Sequence, residues 1–164
     1  MQDKGMTEIT NPSSILISER EDNPAGSIIV ATMEGTRPLL IEIQSLTSTS
    51  VFGMPRRTAN GMDYNRLTML IAVLEKKAGL LLGNQDVYKN IEIPKGVVAI
   101  GEVGLTGEVR SVNLIEKRIK EAEKLGFKCC IIPESNKKLL KDKYKLDIIG
   151  VKTIYDAMKK LGLK

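Results

Sequence analysis

The stretch NLIEKRIKEAEKLGFKCCII, residues 113–132, decides the fold class. Ile115, Ile119 and Ala122 recur at spacings of four and three, which places them on one face of a helix. Gly126 ends the helical pattern, and an apolar run of strand length follows it at once. A helix joined to a strand by so short a connection is typical of an α/β fold.

The same alternation continues to the end of the chain. The patterns predict helices over 113–125, 135–141 and 153–161, and strands over 128–132 and 148–151. This order predicts the α/β class, more finely an α+β two-layer arrangement. Strands that are joined by helical crossovers are expected to pair in parallel.

Local signals predict the ends of two of these helices. Asn113 with Glu116, and Thr153 with Asp156, have the spacing of a capping box, in which each side chain satisfies a free backbone donor of the first turn. Gly126 stops the first helix, and Gly162 stops the last one.

The first half of the chain contains more strands. Residues 1–26 are expected to form a lead-in or linker with a short helix at PSSILIS, and residues 27–164 the folded domain. SIIVATMEG and RPLLIEIQSL, separated by a short turn, predict a hairpin. Apolar residues at helical spacing predict a helix over 62–77, which Gly79 ends. The remaining predicted strands are DVYKNIEI, GVVAIGEV and GEVRSV.

The glycine-rich segment GEVGLTGEVR, residues 101–110, does not have the arrangement of a phosphate-binding loop. Such a loop leads directly from a strand into a helix N-terminus, whose free amides bind the phosphate. Here another apolar strand intervenes before the helix near Asn113. The segment GLTG therefore predicts a hairpin turn, in which Gly104 or Gly107 supplies a positive φ.

Composition excludes several classes of site, and the net positive charge is compatible either with a polyanionic partner or with a cationic surface that is merely solvated. Without histidine, and with only the neighbouring Cys129 and Cys130, the chain offers no Cys/His zinc site and no histidine-based triad; the two cysteines are expected in a buried strand. Residues 1–50 carry a net charge of −4 and residues 51–164 one of +9, so the cationic field belongs to the later part. We see neither a secretory signal nor an apolar run long enough to span a membrane, and we expect a cytoplasmic location.

Several long strings together resemble a known family. They are ATMEGTRPLLIEIQSL, FGMPRRTANGMDYNRLTMLIAVLEKKAGL, QDVY and GEVGLTGEVRSV with IEKRIKEAEKLGF, in this order. They resemble the C-terminal domain of the bacterial RadA (Sms) family of DNA repair and recombination proteins, from about Asn11 to the end of the chain. In that family this domain is similar to the proteolytic domain of Lon, within the ribosomal protein S5 domain 2-like class.

The resemblance implies a function and a set of partners. The implied function is that of a ring-forming, non-proteolytic scaffold, hexameric in its family, attached to a RecA-like ATPase that drives branch migration. The zinc finger and P-loop ATPase of the family lie upstream of the part present here, so ATP, Mg and Zn are not expected to bind this chain. Compared with members of that family, this sequence also lacks a segment about as long as a strand plus a helix, near Asn90 and Ile91.

Two other functions stay open. A Lon-type peptidase needs a serine nucleophile and a lysine base, but by resemblance Glu116 occupies the position of the lysine, and the serine-bearing segment falls within the missing stretch. A small hydrolase could use the carboxylates of Glu102 and Glu108. The chain could also be a non-functional gene fragment.

The arginines are the candidate contacts to DNA. Guanidinium groups bond two phosphate oxygens at once, and PRRTANGMDYNR concentrates Arg56, Arg57 and Arg66; Arg110 and Arg37 rank lower. The alternative, weighed evenly, is that one or two of them pair with Asp63 or with a neighbouring subunit. The lysines of 137–145 are more typical of a solvated face. Aromatic residues are few, so single-stranded or branched DNA is expected to be contacted through its backbone.

Overall fold

The computed structural model describes residues 9–18, 26–45, 57–80, 82 and 94–163. Its elements, in chain order, are α1 (Pro12–Ser18), β1 (Ser27–Glu34), β2 (Arg37–Gln44), α2 (Tyr64–Ala78), β3 (Val97–Ala99), β4 (Glu102–Val103), β5 (Val109–Arg110), α3 (Ile115–Lys124), β6 (Cys129–Pro133), α4 (Glu134–Lys137), β7 (Asp147–Val151) and α5 (Ile154–Lys160). The predicted α/β class is confirmed. Arg56, the predicted strand DVYKNIEI and the junction at Asn90 and Ile91 lie outside the described residues.

Five strands form one sheet in the order β2-β1-β3-β6-β7. The hairpin of β1 and β2 is antiparallel, as predicted, with Ser27 opposite Gln44 at one end and Glu34 opposite Arg37 at the other. The other three pairs, β1 with β3, β3 with β6 and β6 with β7, are parallel. The parallel pairing expected across the helical crossovers is therefore confirmed.

Apolar side chains cover both faces of this sheet. Val98, Cys130 and Ile132 belong to the larger core cluster, to which α3 contributes its predicted apolar face. Their neighbours along the strands, Val97 and Ile131, belong to a second cluster that α5 covers. Because helices cover both faces, the parallel strands are apolar at consecutive positions instead of alternating.

The short helix α1 packs along the outer strand β2. The side chain of Ser13 is buried, and its hydroxyl oxygen accepts the backbone N–H of Leu40 at 3.2 Å. Ile17 packs against the larger core cluster. The predicted helix at PSSILIS is thus confirmed, whereas a domain boundary at residue 26 stays a prediction.

The ends of α2 follow the sequence signals closely. The carboxylate of Asp63 accepts the backbone N–H of Arg66 at 2.9 Å, so the helix begins at Tyr64 and not at Met62. Gly79 lies in the left-handed region with φ +68° and ends the helix, as predicted.

The capping box predicted from Asn113 and Glu116 is wrong. Leu114 takes the N-cap position with φ +53°, and no side chain caps the helix. Because α3 begins at Ile115, Asn113 lies one residue before the N-cap, and its carbonyl instead accepts from Nε of Arg118 at 3.1 Å.

The other local predictions hold, with one change of extent. Thr153 accepts the N–H of Asp156 at 3.1 Å, although the carboxylate of Asp156 bonds Lys152 N at 3.2 Å and not the N-cap amide. Gly126 and Gly162 have positive φ where their helices end. The helix predicted over 135–141 is wrong in extent, because α4 spans only Glu134–Lys137 and turns follow it.

The cysteine pair lies in a strand, as predicted. Both cysteines are free, and Cys130 is fully buried while Cys129 is half-buried. Burial raises the pKa of the Cys130 thiol to about 12. This thiol is therefore not ionised at neutral pH and has no nucleophilic character.

Candidate nucleic-acid interface

The glycine-rich segment forms a hairpin of two short strands, β4 and β5, as predicted. Gly104 N donates to Glu108 O at 2.9 Å, and Gly107 N donates to Gly104 O at 3.0 Å, which closes the turn. Gly107 supplies the positive φ, +84°. The segment is thus a turn between strands and not a phosphate-binding loop.

Backbone hydrogen bonds fix this hairpin to the junction of β7 and α5. Val109 N donates to Lys152 O at 2.8 Å, and Ile154 N donates to Gly107 O at 2.9 Å. A Cβ atom on Gly107 would lie 2.8 Å from Cβ of Lys77, so the turn also touches the last part of α2. The hairpin therefore joins β7, α5 and α2 at one place.

The carboxylate of Glu108 organises the polar side of the hairpin. It accepts bonds from the hydroxyl and the backbone N–H of Thr106, the latter at 3.0 Å, and from Nε of Arg110 at 2.8 Å. The bonds from Thr106, from its own backbone and from Arg110 lower the pKa of Glu108 to about 2. Glu108 is thus fully ionised at neutral pH, and it holds one of the candidate DNA contacts, Arg110, in an ion pair.

The other described arginines differ in how free their donors are. Nη2 of Arg57 donates to the carbonyl of Leu82 at 3.0 Å, and Nη2 of Arg37 lies 3.4 Å from the carbonyl of Thr10. Arg66 is exposed on the first turn of α2, and no ion pair within the described part of the chain involves it. Asp63, considered as its ion-pair partner, instead caps the helix through the Arg66 backbone.

The structure does not bring all these arginines to one place. Arg66 precedes Lys77 by eleven residues of α2, about 16 Å along the axis at 1.5 Å per residue. Since the hairpin turn touches Lys77, Arg66 and that turn lie at opposite ends of the helix. Arg37 begins β2 opposite the last residue of β1, so it lies at the carboxyl end of the parallel strands, as the hairpin does, but on the outer strand opposite to β7.

A second basic feature is the lysine loop, residues 137–146, between α4 and β7. Its sequence KKLLKDKYKL contains five lysines, all exposed. Among the described residues, no ion pair involves any of these five side chains. The sequence predicted a solvated face for these lysines, and their exposure confirms that prediction.

Two polar residues that hold these surfaces in place were not singled out from the sequence. Asn136 is 4% exposed, and its amide group bonds the backbone of Val112 twice, with Oδ1 accepting at 2.9 Å and Nδ2 donating at 3.1 Å. Arg118 reaches from α3 to the carbonyls of Ala31 and Asn113. No local pattern marks the longer of these contacts, because Val112 lies 24 positions from Asn136 and Ala31 lies 87 positions from Arg118 in the sequence.

The described residues contain neither a cluster of metal-ligating side chains nor a helix that could span a membrane. No group of three or more His, Cys, Asp or Glu side chains among them could hold a metal ion. None of the helices in the described ranges is both long and apolar enough to cross a bilayer.

The chain is similar to bacterial proteins that are named DNA repair protein RadA. It is 45% identical to the one from Bacillus subtilis and 44% identical to the one from Halalkalibacterium halodurans, over 97% and 96% of the chain. The protein from Listeria monocytogenes is 41% identical over 98% of the chain. The chain spans about two fifths of the length of these relatives: 40%, 40% and 41%, respectively. No protein-family profile matches it.

The lengths of these alignments show that the relatives contain additional residues within the matched region. The match to the Bacillus subtilis protein extends over 185 positions, whereas this chain has 164 residues. At least 21 of those positions, the difference between the two numbers, therefore have no counterpart here.

Proposed function

Because this chain belongs, over nearly its whole length, to the RadA family of DNA repair proteins, we propose that it is the C-terminal, Lon-like domain of such a protein. Its role is that of a non-proteolytic scaffold that assembles into an oligomer and contacts the DNA backbone. The observation that carries the proposal is the 45% identity over 97% of the chain. The named fold, ribosomal protein S5 domain 2-like, is part of the same proposal.

The motor activity belongs to other parts of the full-length protein. A RecA-like ATPase needs a P-loop, in which glycine amides and a lysine cradle the phosphates, and this chain contains no such motif. ATP, Mg and Zn accordingly bind in the upstream domains, and this domain supplies the ring and a DNA contact for branch migration.

The positions of three carboxylates argue against an enzyme. Glu116 lies in the first turn of α3, where the resemblance to Lon requires a lysine base, and a carboxylate cannot replace it in a Ser-Lys dyad. For the hydrolase alternative, Glu108 has a pKa of about 2, far from the neutral range in which a general acid or base works best. Glu102 lies exposed on β4, opposite Arg110.

We place the residues that the relatives have and this chain lacks near Asn90 and Ile91. The support is the break in the resemblance at that point together with the excess of aligned positions over the length of the chain. A segment of this size is long enough for a strand plus a helix. The described sheet is continuous without it.

The electrostatics favour a polyanion as the partner. The chain carries a net charge of +5, and its acidic and basic residues are unevenly distributed along the sequence. Arg66 presents an exposed guanidinium group. Other residues engage part of the donors of Arg37, Arg57 and Arg110. Contacts of this type go to phosphate oxygens and carry no base specificity.

Light scattering coupled to size-exclusion chromatography, and fluorescence anisotropy with labelled DNA, test the proposal on the 164-residue chain. We expect self-association, and DNA binding that weakens steeply as salt is added. Replacing Arg56 and Arg57 by Ala is expected to weaken binding more than replacing Lys159 and Lys160, which removes the same charge at the end of α5. A strict monomer that binds no DNA at low salt would contradict the proposal.

A casein turnover assay tests the non-proteolytic part separately. We expect no turnover, because neither member of the dyad is present in this chain. Activity that a single serine or glutamate substitution abolishes would instead establish the hydrolase.

A further inference from the structure

The lysine loop holds most of the uncompensated charge of the chain. Residues 137–146 contain five lysines and one acid, Asp142, for a net charge of +4, whereas the whole chain carries +5. This charge lies within ten consecutive residues. The remaining residues together carry a net charge of +1, divided as −4 over residues 1–50 and +5 over the rest.

Apolar contacts join the loop to the larger core cluster, and its lysines are exposed. Leu146 is 4% exposed, and Leu140 and Tyr144 pack against the larger core cluster. The backbone N–H of Lys145 also donates to a carboxylate oxygen of Glu123, at 2.5 Å. These three apolar side chains take the inward positions, whereas the five lysine side chains are exposed.

The acid of the loop does not neutralise the five lysines, because it is already paired. Asp142 forms an ion pair with Nζ of Lys120 on α3, at 2.8 Å. Glu123, the acid next to Lys145, lies against that residue's backbone N–H. The lysine side chains of the loop therefore present their charge to solvent.

We propose that the lysine loop is a surface that binds the phosphate backbone of DNA, separate from the arginines considered above. This inference rests on the function proposed for the domain. An ammonium group is a compact point charge that attracts phosphate without geometric selection, and each contact releases counterions from the DNA. With Tyr144 turned inward, the loop offers no aromatic ring on which a base could stack, so its contact is to the backbone alone.

The test compares two triple variants that change the net charge equally. The first replaces Lys141, Lys143 and Lys145 by Ala, and the control replaces Lys152, Lys159 and Lys160, which are also exposed. Affinity for a fluorescein-labelled DNA duplex is measured by anisotropy over a series of salt concentrations. Circular dichroism and urea unfolding verify that both variants fold like the parent chain.

If the loop binds DNA, its variant shows a slope of log K against log salt that is shallower by about 2–3, since each phosphate contact contributes about 0.9. The control variant keeps the slope of the parent chain. Equal slopes in the two variants, with the parent chain binding DNA, would overturn this inference and leave the proposed function standing. A parent chain that binds no DNA would overturn both.

Discussion

Asn136 provides the sharpest test of how the hairpin and the lysine loop are held. Its buried amide forms two hydrogen bonds with the backbone of Val112, which follows β5, while Lys137 begins the lysine loop one residue later. The substitution Asn136→Ala removes both bonds at once. It also leaves the N–H and the carbonyl of Val112 without these partners in a half-buried position.

The expected effect is about 2–3 kcal/mol in the free energy of unfolding. Each hydrogen bond contributes about 1 kcal/mol, and leaving partly buried backbone groups unsatisfied adds up to about 1 kcal/mol more. With an m-value of about 2 kcal/mol per molar urea, the midpoint of unfolding falls by about 1–1.5 M.

Urea unfolding followed by circular dichroism measures this shift, with Ser135→Ala as the matched control. Ser135 is the preceding residue of α4 and is exposed, so its substitution is expected to change stability by less than about 0.5 kcal/mol. If Asn136→Ala destabilises the chain no more than Ser135→Ala does, the two bonds to Val112 do not hold this junction and the reasoning is wrong.

Three further predictions concern single residues. Gly107→Ala combines a positive φ with a 2.8 Å approach of the new Cβ to Lys77, so we expect it to lower the free energy of unfolding in urea by about 1–2 kcal/mol. Gly35→Ala is the control, because Gly35 has a positive φ but no atom near its Cβ position, and it should show only the cost of the backbone conformation. Equal losses of stability in the two variants would exclude the steric contribution at Gly107. Because the pKa of Glu108 is lowered from 4.5 to about 2, its stabilising contacts are complete above about pH 4.5 and are lost as the pH falls towards 2. NMR titration of the carboxyl group measures this pKa, and Thr106→Ala should raise it. A pKa near 4.5 in the parent chain would refute the hydrogen bonds assigned to Glu108. In a Cys129→Ser variant, the thiol of Cys130 is the only one left, and because it is buried with a raised pKa it should not react with Ellman's reagent at pH 8 until urea unfolds the chain. Rapid reaction of the folded protein would show that this thiol is not buried.

The local patterns of the sequence predicted most of the elements, because each depends on residues only a few positions apart. The spacing of Ile115, Ile119 and Ala122 indicated α3 and its buried face, and the glycines after α2, α3 and α5 marked where those three helices end. The turn at GLTG was also predictable, since its geometry depends on Gly107 itself. The resemblance to the RadA family rested on the matched strings of sequence, and the similarity to proteins of that name confirmed it.

The cap of α3 marks the limit of local reasoning. Asn113 and Glu116 have the spacing of a capping box, yet the helix begins one residue later, with Leu114 in the left-handed region. Val112 lies two residues before Leu114, and its backbone forms hydrogen bonds with Asn136, which lies 24 positions away in the sequence. No short window of residues contains that interaction.

The chain's own sequence therefore determined which segments form helices and strands, their order, and the sign of the charge on each part. Only the tertiary structure decided how these charged side chains are engaged: Arg110 is paired by Glu108, Arg57 bonds a distant carbonyl, and the acid of the lysine loop, Asp142, is paired with Lys120. The physical reason is that secondary structure follows from neighbours along the chain. The availability of a charged side chain instead depends on partners that folding brings together from far apart.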